Sequence, residues 1–463
     1  MRQLTPRRIK PQNGPSALFP ETVGRLRNIE KSVAISLSRN HDRNTMKKAK
    51  VHSLTGRITY PLMLQAFKAV KRNRGAAGVD KQSVALFEKN LEENLLSLMR
   101  DLKTRGLFKP KPLRRVHIPK GPPGSNQTRP LGIPVVRDRV AQEVLRSLLA
   151  PIFEPLFHED SYGFRPNRNC HKAIERALKL HGEGFLHVLD ADIKGFFDNI
   201  PHEVIMQRVA KEVADGNILG ILQRFLTAGV MEDGVFKPTT VGTPQGGVIS
   251  PLLANIVLNP LDWALQDAGF RFVRYADDFI VLCPNANRAQ EAQMLVEQTL
   301  NGLGLILSPE KTKITTYRKG YEFLGFFLSS RSRRMRDKSV RKFKDKVREL
   351  TQRSHNLDAQ VIVKLNRVIR GTANYFATPF ATVAAKFQKL DSWVRMRLRA
   401  MKLKRKNYND NYKLRCNYFA RKLGLLTLEE ICIKRKHMAM LGNRLPPIGA
   451  TSQGSPGERP SRR

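Results

Sequence analysis

The chain has 463 residues and a mass of 52.6 kDa, which excludes a small binding peptide and predicts more than one domain. Its 82 Lys and Arg against 40 Asp and Glu give a formal net charge of +42, so the expected partner is a polyanion, either nucleic acid or an anionic membrane surface. No apolar stretch reaches the roughly 18 residues of a membrane span, and the basic N-terminus has no apolar signal region, so we expect a cytoplasmic protein that does not enter a membrane.

The N-terminal third changes from an unpatterned arm to alternating elements. Residues 1–55 are polar and basic, which predicts a flexible arm. From Tyr60 apolar residues recur at helical spacing, and the glycines of 74–80 (RGAAGVD) end that helix. Residues 114–119 (RRVHIP) and 131–136 predict a hairpin with a basic residue at each side of its tip. Helices and short strands then alternate to about residue 328, which predicts an α/β or α+β arrangement.

Two apolar segments carry acids at their ends or tips. The segment 185–193 (FLHVLDADI) alternates as a strand does and ends with Asp190 and Asp192 on one face. The segment 270–283 has two apolar arms around 275–278 (YADD), which predicts a hairpin with paired acids at its tip. A pair of divalent cations roughly 3.5–4 Å apart needs several carboxylate oxygens from rigid elements, and these segments could supply them.

Each of these features also has a simpler interpretation. An aspartate in a tight turn is usually only a turn former, and 243–247 (TPQGG) fits a plain loop before a helix. The glycines of that loop would nevertheless let Gln245 approach a nucleotide or template closely. The ordered combination of basic hairpin, acidic strand, Gln-Gly turn and acidic hairpin favours a functional site.

Basic helices dominate the chain beyond Arg331, where we expect no further strands. Residues 331–350 contain 10 Lys and Arg against 3 acids, and residues 391–422 contain 11 against 2, each on apolar helical periodicity. The tail from Leu445 is rich in Pro, Gly and Ser and is predicted to be disordered.

These segments together resemble the reverse transcriptases encoded by bacterial group II introns, which also act as maturases. The resemblance covers roughly residues 56–422. The matching tracts are 74–80 (RGAAGVD), 117–120 (HIPK) with 129–134 (RPLGIP), 161–166 (SYGFRP), 192–198 (DIKGFFD), 243–255 (TPQGGVISPLLAN), 275–278 (YADD), 308–313 (SPEKTK) and 323–326 (FLGF). Because all eight occur in order, the resemblance is specific.

The resemblance implies a right-hand polymerase fold with fingers and palm, followed by an all-helical basic thumb or maturase domain. The implied domains are a basic flexible arm (1–55), an N-terminal extension with the fingers (56–185), the palm with the catalytic acids (186–328), the helical thumb or maturase domain (329–437) and a disordered tail (438–463). We expect no HNH endonuclease, since too few residues follow Lys422 to build one.

The resemblance also implies roles for individual residues. It assigns catalysis and metal binding to Asp192, Asp277 and Asp278, which would hold two Mg²⁺ ions, with Mn²⁺ as a substitute. The implied nucleotide-binding residues are Lys120, Arg129, Phe197 as the aromatic that excludes a ribose 2′-OH, Gln245 and Lys311. For Lys311 an ordinary surface lysine is the competing interpretation.

The C-terminal helices would bind RNA, because rows of Arg and Lys neutralise phosphates and release counterions. The candidate RNA-binding residues are Arg370, Tyr375, Arg395, Arg397 and Arg399. Aromatic side chains there could stack on unpaired bases, although filling the core between helices is the more common role.

The leading hypothesis is an RNA-directed DNA polymerase of a group II intron that also assists splicing and mobility. Its partners would be the intron RNA template, a DNA primer or target and dNTPs, with a homodimer as one candidate assembly. The alternatives are an RNA-binding splicing cofactor with little polymerase use and a domesticated or defence-associated relative. An RNA-directed RNA polymerase is disfavoured because Phe197 would select against ribonucleotides.

Overall fold

The computed structural model describes residues 50–119, 128–243, 246–407 and 409–442, with side chains described up to residue 438. Among the sequence-predicted site residues, Lys120 and Gln245 lie outside these ranges, as do most of the predicted arm and tail. The described chain divides into two compact units, residues 50–119 with 128–314 and residues 315–442.

Helices and two sheets build the first unit. Its helices are α1 (Tyr60–Arg72), α2 (Val84–Lys89), α3 (Leu91–Lys103), α4 (Val136–Phe153), α5 (Cys170–Gly182), α6 (Phe196–Asn199), α7 (His202–Glu212), α8 (Gly216–Leu226), α9 (Ser250–Asp267) and α10 (Ala286–Asn301). Its strands are β1 (Leu113–Pro119), β2 (Thr128–Ile133), β3 (His187–Asp192), β4 (Val230–Glu232), β5 (Val235–Lys237), β6 (Arg271–Tyr275), β7 (Asp278–Cys283) and the first half of β8 (Lys313–Thr316).

The centre of the first unit is helix α4, in which every residue from Asp138 to Leu145 is buried. A helix that is buried all round belongs to the interior of a large domain, and α1, α2 and α3 pack against this one. Arg139 fixes the chain that leads into this helix, because its side chain donates hydrogen bonds to the carbonyls of Pro134 and Ala76. The glycine-rich loop 74–80 is therefore held against the start of α4.

A mixed sheet of order β2-β1-β4-β5 contains the predicted basic hairpin. Strands β1 and β2 pair antiparallel from Arg114 opposite Ile133 to Pro119 opposite Thr128. The predicted limits of the second strand, 131–136, are wrong because that strand ends before Pro134, which has no backbone N–H to donate. Strand β4 joins β1 in parallel, which links the hairpin to the segment before the glycine turn.

The second sheet of this unit has the order β6-β7-β3-β8, and we call it the acid-bearing sheet. Strand β7 is its centre and pairs antiparallel with both β3 and β6. Helix α10 packs on β3 and β7, and α5 packs on β6, so the apolar strand residues are covered. Asp192, at the end of β3, and Asp278, at the start of β7, lie at the same end of this sheet.

The second unit is mostly helical and begins with a small sheet. Its elements are β9 (Tyr321–Phe323), β10 (Phe326–Leu328), β11 (Arg333–Met335), α11 (Asp337–Leu350), α12 (Ala359–Phe376), α13 (Ala384–Lys402), α14 (Asp410–Lys413) and α15 (Leu428–Gly442). Strand β11 contradicts the expectation of helices alone beyond Arg331. The strand forms because it pairs antiparallel with β10. Three residues carry too little periodicity to predict such a tertiary pairing from the sequence.

Helix α11 illustrates how the basic helices fold. Val340, Phe343 and Val347 are buried at helical spacing, and the cationic side chains occupy the remaining faces. Helix α15 packs against α12 and α13. None of the helices in the described ranges combines the length and the apolar content that crossing a membrane requires.

Candidate active site

The predicted acids meet at one end of the acid-bearing sheet. Strands β3 and β7 pair in the register that sets Asp192 directly opposite Asp278. Strand β6 continues the same row, with Tyr275 opposite Asp278. Directly opposite residues of an antiparallel pair have Cβ atoms about 4.5–5.5 Å apart, so two residues 86 positions apart in the sequence become neighbours.

Asp277 lies in the tight turn that joins β6 to β7. The turn has two central residues, Ala276 and Asp277, and Ala276 has a φ of 60°. A two-residue hairpin with positive φ at its first central position is the type that glycine usually occupies. An alanine there is strained, so surrounding contacts must hold the turn in this conformation.

Lysines from the tract 308–313 approach the acids of β3. Lys311 Nζ lies 2.8 Å from Asp192 Oδ2, and Lys313 Nζ lies 3.5 Å from Asp190 Oδ2. The backbone fixes this approach, because the Ser308 N–H donates to the Asp192 carbonyl at 2.8 Å. Alternate residues of β3 thus pair with alternate residues of the lysine tract on the same face.

The electrostatics of Asp277 connect the turn with the basic hairpin. Burial raises the pKa of Asp277 above its usual value, and the negative charge of Asp192 raises it further. The positive charge of Arg129 acts in the opposite direction and lowers it. The positive charge of Arg129, on β2, therefore acts on the Asp277 carboxyl.

The donor set fits a hard divalent cation in chemistry but is not a closed cage. Asp192, Asp277 and Asp278 offer carboxylate oxygens, the ligands that Mg²⁺ and Mn²⁺ prefer. In the described parts of the chain, no group of three or more His, Cys, Asp or Glu side chains is gathered closely enough to hold a metal ion. Asp192 Oδ2 accepts from Lys311 Nζ at 2.8 Å, so Lys311 would compete with an ion for this oxygen.

Gly246 and Val248 connect the segment before α9 to the basic hairpin and to α4. Gly246 has a φ of +108°, and a Cβ there would lie 2.7 Å from the Gly132 carbonyl oxygen of β2. The Val248 N–H donates to Gln142 Oε1 at 2.7 Å, which ties the turn to α4. Only glycine permits this approach, so Gly246 lies directly beside β2, the strand that carries Arg129.

Phe197 is part of the core beneath this turn. Its side chain is buried, its ring packs edge-on against Phe196 with centroids 5.2 Å apart, and its carbonyl accepts from the Thr243 N–H at 2.7 Å. Phe197 is thus a core residue whose backbone is joined to Thr243.

The five predicted RNA-binding residues of the second unit differ in their surroundings. Arg370 is exposed, and Arg395 donates to Ser392 Oγ at 3.0 Å. Arg397 donates to the Thr351 carbonyl at 2.7 Å. Arg399 is buried and donates to the Leu414 carbonyl at 2.8 Å, while the Tyr375 hydroxyl donates to the Leu324 carbonyl at 2.8 Å. Arg397, Arg399 and Tyr375 therefore each donate to a backbone carbonyl of the unit.

Sequence reasoning missed the residues that support the turn. Arg274, Asp262, Asn255 and Gly163 form a buried network around Ala276. The available signal was Arg274 itself, a charged residue that follows the apolar Phe272 and Val273 in the hairpin segment. Its partner Asp262, on α9, could not be identified without the tertiary structure.

Comparison with known proteins agrees with this architecture. Residues 118–328 match the family model of the reverse transcriptase (RNA-dependent DNA polymerase), and residues 340–419 match that of the group II intron maturase-specific domain. Protein YkfC of Escherichia coli K12 is 33% identical over 319 residues, which cover 60% of this chain and 82% of that protein. The chain belongs to the group II intron reverse transcriptases and maturases. Its class is that of an RNA-directed DNA polymerase, and dependence on a divalent metal ion is general in this family.

Two further relatives are encoded within introns. The group II intron-encoded protein LtrA of Lactococcus lactis is 36% identical over 217 residues, which cover 46% of this chain and 35% of LtrA. A 91 kDa protein in the cob intron of Schizosaccharomyces pombe is 32% identical over 279 residues, which cover 47% of this chain and 34% of that protein. The chain thus spans about a third of the length of these two relatives.

Proposed function

We propose that this protein copies a group II intron RNA into DNA from a DNA primer and dNTPs, and that it also assists the splicing and mobility of that intron. The observation that carries the proposal is the register that sets Asp192 opposite Asp278, with Asp277 in the adjoining turn. In this proposal the three carboxylates hold two Mg²⁺ ions, for which Mn²⁺ can substitute. Intron RNA and DNA would meet the protein in the cytoplasm.

Bound ions would lower the pKa of the primer 3′-hydroxyl and stabilise charge on the triphosphate and the departing pyrophosphate. The chain's own residues would orient the substrates. Arg129, whose charge already acts on Asp277, would offset negative charge on the triphosphate. Lys311 would leave Asp192 when the carboxylate engages an ion, and its ammonium would then be free to bind phosphate oxygens.

The remaining predicted contacts complete the nucleotide site. In this proposal Lys120 binds the triphosphate beside Arg129, Gln245 lies next to the template, and Phe197 excludes the ribose 2′-OH. The segments 56–185 and 186–328 would act as fingers and palm, and 329–437 as the thumb or maturase domain. A homodimer stays a prediction, which the molar mass measured by light scattering would test.

The maturase role would belong to the second unit, whose exposed cations can neutralise phosphates. Arg370 and Arg395 are the better candidates for RNA contact, because Arg397, Arg399 and Tyr375 each donate a hydrogen bond to a backbone carbonyl of the unit. Arg397 would combine a structural bond to Thr351 with the field of its charge.

Primer extension on an RNA template tests the polymerase role. Asp277→Ala removes one of the proposed ligands and should lower incorporation by about 1,000-fold or more, since a bound ion contributes several kcal/mol of charge stabilisation. The wild type should incorporate dNTPs only when Mg²⁺ or Mn²⁺ is present. Equal incorporation by wild type and Asp277→Ala would refute the assignment.

A splicing assay with Asp192→Ala separates the two activities. The maturase role rests on RNA binding by the second unit, so this variant should still promote intron splicing at close to the wild-type rate while primer extension is lost. If splicing falls in parallel with polymerisation, the two roles share one site and the proposed division is wrong.

The alternative of a splicing cofactor predicts a different outcome. If the polymerase is unused, the wild type should promote splicing without measurable extension of a primed RNA template. A domesticated or defence-associated role would be favoured if no catalytic intron RNA can be folded around the coding sequence.

A further inference from the structure

A fully buried ion pair lies beneath the turn that carries Asp277. Arg274 Nε lies 2.7 Å from Asp262 Oδ1, and Arg274 Nη2 lies 2.5 Å from Asp262 Oδ2. Both side chains have 0% exposure. The pair is bidentate, so the plane of the guanidinium is fixed relative to helix α9.

The remaining guanidinium nitrogen connects this pair to the turn. Arg274 Nη1 donates to the Ala276 carbonyl at 2.9 Å and to Asn255 Oδ1 at 3.0 Å. Asn255 Nδ2 in turn donates to the Gly163 carbonyl at 2.8 Å. The carbonyl immediately before Asp277 is therefore held by a cation that is itself fixed at two further points.

The loop 160–163 packs on the same turn from the other side. A Cβ at Gly163 would lie 2.3 Å from the Ala276 backbone nitrogen, so this glycine lies directly against the turn. The Tyr162 N–H donates to the Arg274 carbonyl at 2.8 Å, and the Arg274 N–H donates to the Asp160 carbonyl at 3.0 Å. Between Arg274 below and Gly163 above, the turn has little room to move.

Stability alone does not explain this arrangement. A buried ion pair loses the hydration of both charges, and apolar side chains of similar volume often stabilise a core equally well or better. Apolar replacements could not donate a hydrogen bond to the Ala276 carbonyl. Ala276 also needs such support, because its positive φ is unfavourable for a residue with a Cβ.

We propose that Arg274, oriented by Asp262 and Asn255, is a positioning residue that fixes the Ala276–Asp277 turn in the conformation required for Asp277 to engage a divalent cation. The inference rests on the proposed polymerase function and deepens it. Arg274 is buried and acts through the backbone of the turn rather than on substrate.

Arg274→Lys is the first test, because it keeps the charge opposite Asp262 and removes the fork that also reaches Asn255 and Ala276. The measurements are thermal unfolding, single-nucleotide incorporation on a primed RNA template, and Mn²⁺ binding followed by the EPR signal of free Mn²⁺. We expect kcat and Mn²⁺ affinity each to fall by about 10–100-fold, as for other residues that orient a metal ligand, with the KM for dNTP within about twofold of wild type.

The double variant Arg274→Met/Asp262→Leu keeps the test valid if Arg274→Lys is unstable. It removes both charges together and should unfold near the wild-type temperature, with the same loss of kcat and Mn²⁺ affinity. Asp215→Ala is the control for instability. Asp215 caps α8 and accepts from the Thr55 N–H at 2.7 Å, so its removal should lower the unfolding temperature and leave Mn²⁺ affinity unchanged.

The outcomes separate this inference from the proposed function. If wild type does not extend the primer, the polymerase proposal fails, while Mn²⁺ binding by the variants still tests the positioning role. Wild-type kcat and Mn²⁺ affinity in a folded Arg274→Lys or double variant would overturn the inference. So would a decrease no larger than that of Asp215→Ala at an equal loss of stability.

Discussion

The acid-bearing sheet and the basic helices after residue 336 hold charges of opposite sign in different ways. The acids of the sheet lie at a strand end and a strained turn, and buried polar contacts fix the turn. The cations of helices α11 and α12 line exposed faces over an apolar stripe, and those of α11 that form ion pairs do so with acids of the same helix. Chemistry at the first region depends on geometry, whereas binding at the second depends on the sum of many charges.

This difference predicts how each region responds to substitution. In the sheet, replacing one side chain should change the rate of nucleotide incorporation strongly, whereas replacing a side chain two residues away should change it little. In the helices, single substitutions should lower RNA affinity by small, additive amounts, and added salt should lower it in the same way.

Phe197 provides the largest expected effect among the tests of local geometry. If its ring excludes a 2′-hydroxyl, Phe197→Ala should raise rNTP incorporation relative to dNTP by roughly 10–200-fold, the range for one well-placed steric contact. Phe196→Ala is the matched control, since it removes an adjacent ring of similar burial. The measurement is the ratio of the kcat/KM values for rNTP and dNTP in each variant. Equal relaxation in both variants would mean that Phe197 is only a core residue.

The basic helices should show the opposite behaviour. Arg370→Gln with Arg395→Gln should reduce the slope of log affinity against log salt for the RNA by about 0.7 for each phosphate that the variant no longer neutralises. Arg399→Gln is the control, because Arg399 is buried against Leu414 and its replacement should lower stability without changing the slope. Filter binding at several salt concentrations measures the slope. A larger slope change for Arg399→Gln would reverse the assignment of exposed and buried cations.

Asp138 is a buried acid whose carboxyl group, among the described residues, has no Lys or Arg side chain within hydrogen-bonding distance. Burial raises its pKa from 3.8 to about 7, although its Oδ2 accepts from the Lys111 N–H at 2.8 Å. Because the folded state holds this proton more tightly, the contribution to stability is full below pH 3.8 and falls as the pH rises to about 7.

Asp138→Asn should remove that titration and keep an acceptor for Lys111. The free energy of unfolding should then depend less on pH between 3.8 and about 7, by up to roughly 4 kcal/mol. Urea unfolding of both proteins across this range measures the effect. Parallel pH profiles would show that Asp138 does not titrate in the folded protein at these values.

The sequence predicted the acid-bearing sheet well because strand periodicity is local. Apolar alternation followed by acids was visible at Asp192, and the hairpin was visible around Asp277. Strand β11 could not be predicted, since it depends on pairing with β10. Asp262 could not be connected with Arg274 for the same reason, because a helix residue and a strand residue meet only in the folded chain.

The predicted RNA-binding residues show the limit of charge as evidence. Arg370 and Arg399 look alike in the sequence, yet one faces solvent and the other donates to a backbone carbonyl inside the unit. Tyr375 likewise belongs to a ring cluster, with its centroid 4.9 Å from that of Phe376. Helical periodicity gives the face of a residue only approximately, and tertiary partners decide the rest.

The most direct test of the account compares two aspartates of one strand. Asp192 and Asp190 lie on the same face of β3, and each pairs with a lysine of the same tract. In Asp192→Asn, single-nucleotide incorporation on a primed RNA template and Mn²⁺ binding should both fall by about 100-fold or more. Asp190→Asn should retain both within about threefold, since its carboxylate is expected to pair with Lys313 rather than with an ion. Equal decreases in the two variants, or none in Asp192→Asn, would contradict the central claim that Asp192 holds the catalytic metal.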